Sequence, residues 1–333
     1  MQDANESPLT EHDEGALLAS ERDASEAIAD EAVPNTAKRL RIATYNIHKG
    51  VTSRRNRIHE LRAGLHALDA DVVFLQEVQG RNDLHAGQFD NWPEIAQHTF
   101  LAGDRWAEAV YGRNSVREDG DHGNAVLSRF PLVSHENIDI SDHRFESRGL
   151  LHCEFDFDGV AVHCICAHLG LFEESRVRQA DAMIARIRSH VPADAPLVIA
   201  GDFNDWRHRL GKRLVEQLGV REVFSGHETP GAALARRAGV YVARQRVRLR
   251  RTLGATGIKT AAADEATDIV PLVNKPRRLA APARTFPAAF PLLRLDRVYV
   301  RGWRIASAQV LSGPTWRKLS DHAPILAELV LVS

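Results

Sequence analysis

What most constrains this chain is a set of short apolar runs that each stop abruptly at a polar side chain. Val72-Val73-Phe74-Leu75 ends at Gln76-Glu77, Leu197-Val198-Ile199-Ala200 ends at Gly201-Asp202, and Cys164-Ile165-Cys166-Ala167 ends at His168. Apolar runs this short, bounded by polar or turn residues, read as buried strands. Strands are accordingly expected at residues 40–47, 72–76, 123–128, 149–156, 160–167, 196–200, 295–300 and 324–332. Helices are expected at 57–68, 92–98 and 174–189, the last carrying Ala180, Met183, Ile184 and Ile187 at helical spacing as one buried stripe. Interleaved strands and helices make an α/β protein, and the adjacent strands at 149–167 read as an antiparallel hairpin, so mixed sheets are expected. No internal repeat is visible.

Two segments break this texture. Between Asp3 and Glu31 ten acidic residues stand against Arg22, with no aromatic side chain, so residues 1–38 read as an acidic, solvated tail. About residues 228–282 form a second break, rich in Arg, Ala and Pro, which reads as an insertion within a domain spanning 39–333. Its arginines make either a solvated surface or a contact strip for phosphate backbones or anionic lipid heads. Of the 333 residues 44% are hydrophobic, enough for a large core, and the formal net charge of -1 means that any phosphate-binding surface must be local. The three cysteines, Cys153, Cys164 and Cys166, include no CxxC pair. Cys164 and Cys166 are two apart and share one face of a buried strand, which argues against a disulfide or zinc site and suits the cytoplasm. No apolar stretch approaches the ~20 residues that span a bilayer, and the acidic N-terminus does not read as a signal peptide.

Four segments carry to strand ends the residue types that metal-assisted phosphoryl chemistry needs. Thr44-Tyr45-Asn46-Ile47-His48 delivers a carboxamide, and Leu75-Gln76-Glu77-Val78 a carboxylate. Gly201-Asp202-Phe203-Asn204 places Asp and Asn two apart after a glycine that allows a sharp exit, and Leu319-Ser320-Asp321-His322 precedes the closing strand. Carboxylate and carboxamide oxygens suit Mg²⁺ or Mn²⁺ better than zinc. An Asp after a strand is by itself usually a turn or helix cap; it is the combination that points to chemistry.

In this order TYNIH, LQEV, GDFN and LSDH resemble the endonuclease/exonuclease/phosphatase superfamily, which shares the fold of deoxyribonuclease I. NIHKG at 46–50, YGRN at 111–114, HGNAVLSR at 122–129, HLGL at 168–171, GDFNDW at 201–206, RTFP at 284–287 and FPLLRLDRVYV at 290–300 are further similar to a bacterial subgroup of hydrolases. The resemblance implies a four-layer α/β sandwich: two mixed sheets face to face, helices outside, and the site at one edge. It also implies roles. Glu77, with Asn46 and Asp321, would bind Mg²⁺ or Mn²⁺. Asp202 would orient or deprotonate the attacking water, and Asn204 would position it. His322 would stabilise phosphoryl charge while held by Asp296, and His168 is the second histidine of a nuclease-like site. Arg148 matches a position often basic in relatives, and Asn124 is a second substrate-binding candidate, with strand-end hydrogen bonding as its alternative. Trp206 and Trp316 flank two motifs, as stacking platforms or as packing.

The function expected is metal-dependent hydrolysis of a phosphodiester, nucleic acid being the first substrate class. A phospholipase C-like or phosphatase activity on a lipid, such as an anionic phospholipid, or on a small phosphoester uses the same site, and fold alone does not separate them. A non-catalytic binding module is the reading from another class, and the intact set of carboxylates, amides and histidines counts against it.

Overall fold

Alternation along the apolar runs dictates the layering, because successive side chains of a strand point to opposite faces. The computed structural model describes residues 37–144, 146–225 and 283–332. The expected acidic tail, apart from its last two residues, and the expected insertion at 228–282 lie outside them. In chain order the strands are β1 (Arg39–Asn46), β2 (Val51–Thr52), β3 (Arg55–Asn56), β4 (Val72–Asn82), β5 (Glu108–Arg117), β6 (Gly120–Ser128) and β7 (Leu132–Asp139). They continue as β8 (Gly149–Phe157), β9 (Val160–His168), β10 (Leu197–Asp202), β11 (Arg221–Glu222), β12 (Asp296–Arg301), β13 (Trp303–Val310) and β14 (Ile325–Leu331). The helices are α1 (Ile58–Leu68), α2 (Asp83–Gln88), α3 (Gln97–Ala102), α4 (Glu173–His190), α5 (Leu210–Leu218) and α6 (Trp316–Leu319).

Two six-stranded sheets result, ordered β13-β14-β1-β4-β6-β5 and β11-β12-β10-β9-β8-β7. In each, one central pair is parallel, β1 with β4 and β9 with β10, and every other pair is antiparallel. A helix makes each crossover, α1 in the first sheet and α4 in the second. The two sheets therefore share one succession of pairings, a repeat of architecture that the sequence does not display.

Ile42, Val72, Phe74, Cys164, Cys166, Val198 and Ala200 point inward and form the core between the sheets. Their neighbours point outward. Ala43, Val73 and Leu75 meet Ile58, Leu61 and Leu65 of α1, while Ile165, Ala167, Leu197 and Ile199 meet Ala180, Met183, Ile184 and Ile187 of α4. Three cores separate four layers, so the expected sandwich is the fold observed. All three cysteines are free and buried, and burial pushes their thiol pKa values up, that of Cys166 to about 12, which leaves them unreactive. No helix among the described residues is long and apolar enough to cross a membrane.

All eight expected strands are present, and the differences lie elsewhere. The helix expected at 92–98 instead runs over Gln97–Ala102. Pro93 disfavours helical backbone at Trp92, and the Gln97 side chain pins the true start, accepting from Gln79 N at 2.9 Å and donating to Lys49 O at 2.8 Å. Helix α5 was not anticipated; it buries Leu210, Leu214 and Leu218 on one face, and Asp205 accepts from Arg209 N and Leu210 N at its start. Strands β5, β7 and β13 lie at sheet edges, where exposure blurs the apolar pattern.

At another edge, β11 buries Glu222. Its Oε2 accepts from Phe224 N at 2.9 Å, and Oε1 has no hydrogen-bond partner among the described residues. Burial pushes its pKa up to about 7, against the opposing pull of Arg297. Because the folded pKa lies above the unfolded one, the carboxyl costs nothing below about pH 4.5, takes away stability as pH rises from there to about 7, and costs a constant amount above that. The cost at pH 8 is on the order of 3 kcal/mol. Glu222→Gln is expected to raise Tm by about 5 °C at pH 8 and by much less at pH 5, measured by calorimetry. An equal difference at both pH values would show that the carboxylate is well paired.

Candidate active site

The inward-facing positions of the central strands change character at one end of the sandwich. Following the alternation, Ile42 and Thr44 lead to Asn46, Val72 and Phe74 to Gln76, Cys164 and Cys166 to His168, and Val198 and Ala200 to Asp202. The register sets Asn46 opposite Gln76, and Asp202 opposite both His168 and Asp296. The site is thus the polar end of the inter-sheet core. Its cleft encloses about 500 Å³.

Gly201, expected to open a sharp exit, lies instead inside the register of β10, paired with Ala167. Glycine is needed because a Cβ would fall 1.9 Å from Ala167 O, at a φ of 145°. That close approach brings Asp202 beside His168.

Asn46 joins the sheets, its Nδ2 donating to Asp202 Oδ2 at 3.1 Å and to Glu77 Oε1 at 3.2 Å. Glu77 does not end its strand as expected, since β4 continues to Asn82. It sits at a bulge where the register with β6 shifts between Leu75 and Val78, with φ at 57°, and this irregularity turns the carboxylate into the cleft. Asp321 is half-exposed, with His48 Nδ1 3.3 Å from its Oδ1.

His322 faces two buried carboxylates. Its Nδ1 lies 2.9 Å from Asp296 Oδ2, and its Nε2 3.7 Å from Asp202 Oδ2. Burial alone would lower its pKa, but Asp296 and Asp202 outweigh it and raise the value to about 10. His168 Nε2 lies 3.6 Å from the same Asp202 oxygen, yet burial, helped by Arg148, drives its pKa well below the usual histidine range. One carboxylate therefore faces a charged histidine and a neutral one. Burial raises the pKa of Asp202, while His322 restrains the rise. Asn204, at a φ of 49°, donates its backbone N–H to Asp202 Oδ1 at 2.9 Å and its Nδ2 to Leu169 O at 2.9 Å. Asp202, Asp296 and His322 also bring potential ligand atoms within 4.8 Å of one another.

Arg148 reaches the cleft, its Nη1 3.4 Å from both ring nitrogens of His168. Asn124 does not line it. Fully buried, its amide donates to Gly149 O at 2.9 Å and Cys166 O at 3.4 Å, so it binds β6 to the facing sheet and its alternative reading is the one its placement supports. Trp206 lines the cleft, whereas Trp316 packs edge-on against Tyr45 at 5.7 Å.

Several supporting residues escaped the sequence reading. Ser320 Oγ donates to Asn46 O at 2.7 Å and accepts from His322 N at 3.2 Å, fastening the final loop to β1. Thr285 accepts from Ala323 N through its carbonyl and from Asp296 N through its hydroxyl, bracing the same loop from the other side. Behind Arg148, Glu146 Oε1 lies 3.7 Å from its Nε, Glu146 Oε2 accepts from Gln179 at 2.6 Å, and Gln179 accepts from Gly170 N at 2.7 Å. Ser320 lay within a quoted motif and offered a signal. Glu146 and Gln179 are far apart in sequence and offered none.

The model of the endonuclease/exonuclease/phosphatase family matches residues 43–322. Uncharacterized protein YbhP of Escherichia coli is 38% identical over 296 residues, covering 88% of this chain and 96% of that protein, and its Shigella flexneri counterpart matches equally. Among solved structures, the endonuclease/exonuclease/phosphatase from Beutenbergia cavernae superposes with a TM-score of 0.61 at 20% identity, covering 88% of this chain and 72% of that one. That of Bacteroides vulgatus gives 0.57 at 15%, covering 88% and 99%. D. rerio TDP2 complexed with single strand DNA product gives 0.53 at 17%, covering 87% and 98%; at these identities the likeness is one of fold. With the family match running over most of its length and the fold in agreement, this chain belongs to the endonuclease/exonuclease/phosphatase family.

Proposed function

We propose that this chain is a divalent-metal-dependent phosphodiesterase, nucleic acid and phospholipid being the substrate classes to assay side by side. Its family acts hydrolytically on phosphoester bonds. The observation that carries the reading is the single buried oxygen, Asp202 Oδ2, flanked by neutral His168 and protonated His322. Burying so many ionisable groups costs several kcal/mol per uncompensated charge, which a module built only to bind has no reason to bear.

Glu77, Asn46 and Asp321 would hold Mg²⁺ or Mn²⁺. They offer oxygen atoms only, the donors these cations take. Asn46 Oδ1 accepts one hydrogen bond, from His48 N at 3.1 Å, and keeps a second lone pair. When bound, the cation supplies positive charge against the phosphoryl oxygens.

In the hydrolysis, a water oxygen bonds to phosphorus as the opposite ester bond breaks. Asp202 takes the water proton, a role to which its raised pKa fits it. Asn204 Oδ1 orients that water, the Nδ2 being held by Leu169 O. His322 donates from Nε2 to a phosphoryl oxygen as charge grows there, its ring fixed by Asp296. Arg148 adds charge at the far side of His168, and the leaving oxygen takes a proton from water in the open cleft.

Glu77→Gln is expected to weaken Mg²⁺ affinity by at least about tenfold, by isothermal titration calorimetry, and excess EDTA to abolish turnover of bis(p-nitrophenyl) phosphate. Unchanged affinity, or full activity in EDTA, would remove the metal from the reading. Asp202→Asn and His322→Ala are each expected to lower kcat on the order of 10²-fold with unchanged circular dichroism; near wild-type rates in either would mean that the roles are misassigned. Plasmid, single-stranded DNA, RNA, phospholipid and an aryl monoester, assayed in parallel, separate nuclease, phospholipase C-like and phosphatase activities.

A further inference from the structure

The cleft has two unlike halves. Lys49, Arg117, His122 and Arg148 line one, and their convergence is visible at His122, whose pKa is lowered by burial and then by Lys49, Arg117 and Arg148, against an opposing Glu77. Leu171, Trp206, Phe286, Leu293 and Leu295 line the other. These five come from the loops that follow β9 and β10 and precede β12, three adjacent strands of one sheet. A phosphodiester has two arms, and this cleft offers a cationic surface to one and an apolar surface to the other.

The apolar half continues outward. Leu171 and Phe172 are each 67% exposed, Phe290 71%, Leu292 51% and Trp206 46%. With Leu293 these make six of the eleven large hydrophobic side chains exposed among the described residues, all on the segments that form the apolar half. Leu171, Trp206 and Leu293 line the cleft itself, and Phe172, Phe290 and Leu292 stand beside them in sequence, Phe172 on a neighbouring depression. Single exposed hydrophobes are ordinary, but several on adjoining segments mark a surface built to meet something apolar. Its charges lean toward an anionic partner: Arg207 and Arg209 share Glu173, Arg178 faces Glu174, and Arg284, two residues before Phe286, is exposed. A nucleobase is a poor fit. Leu171, Leu292 and Leu293 have no π-face to stack on, and the Arg207 guanidinium already covers one face of Trp206 at 4.4 Å.

We infer that the apolar collar seats on an anionic phospholipid surface, and that the diester entering the cleft is that of a phospholipid, its acylglycerol arm along Leu171, Trp206 and Leu293 and its headgroup toward Lys49 and Arg117. For hydrolysis this rests on the function proposed above, whereas docking is measured apart from turnover. Leucine, phenylalanine and tryptophan beside arginine are the residues that settle at a bilayer's interface.

The test is co-sedimentation of the full chain with vesicles of mixed phosphatidylglycerol and phosphatidylcholine. The wild type is expected to sediment, retaining part of its binding in high salt. The triple variant Phe172→Ser, Phe290→Ser, Leu292→Ser is expected to lose at least about tenfold in vesicle partition at an unchanged melting temperature. Val332→Ser, an exposed site at the opposite end of the closing strand, is expected to bind as wild type. Absence of wild-type binding, or equal binding by the triple variant, overturns the inference. So do a dimer that the triple variant dissolves, which would assign the collar to a second copy, and plasmid DNA that binds and is cleaved while vesicles do neither. Turnover of bis(p-nitrophenyl) phosphate without vesicle binding sinks this inference alone. Vesicle binding without turnover of any diester sinks the reading of the site and leaves the docking surface standing.

Discussion

Where the inter-sheet core reaches the carboxyl ends of β1, β9 and β10, a hydrogen bond from Asn46 Nδ2 to Asp202 Oδ2 ties one sheet to the other. Everything at the site depends on that join. It requires the sheets to face each other at side-chain distance, which the inward Ile42, Phe74, Cys166 and Val198 secure by filling the space between them. It also requires both parallel pairs to end at the same level, which the crossover helices α1 and α4 provide by returning each chain to start its next strand beside the last. Removing the apolar fill would move Asn46 from Asp202 before it touched any chemical group.

Burial then sets the protonation states. His168 and His322 flank the same oxygen, yet one is neutral and the other charged. The difference lies in what stands behind each ring. His322 has the Asp296 carboxylate on Nδ1, whereas His168 has the Arg148 guanidinium against it. Environments that push like groups apart are how one site obtains both an acid and a neutral donor near neutral pH. Ser320 and Thr285 hold this arrangement from two sides, so the final loop is positioned by backbone and hydroxyl contacts that carry no charge.

The two sheets repeat one order of pairing but build unlike walls. The first sheet contributes Glu77 and His122, while the second contributes His168 and Asp202 and, on the loops beyond its strands, the apolar Leu171, Trp206 and Leu293. A shared architecture therefore carries an asymmetric cleft, because loops vary in composition without disturbing the strands that hold them.

Much of this is local and was legible in the chain itself. An apolar run that stops at a polar residue marks both a buried strand and the end at which chemistry sits, since alternation along a strand is a property of consecutive residues. Asn46, His168 and Asp202 were placed at strand ends that way, and the layered fold with them, whereas Asp296, at the start of β12, was singled out through the family resemblance. The edge strands β7 and β13 were not legible, because their mostly exposed faces carry no apolar period. Glu77 turns into the cleft only through a bulge in its pairing with β6, and Asn124 is consumed by carbonyls on the opposite sheet. Neither could be read from neighbouring residues. The opposite charges of His168 and His322, and the network from Gln179 through Glu146 to Arg148, were decided in tertiary structure alone. Burial and partner charge are supplied by groups distant in sequence, and only the folded chain brings them within a few ångströms.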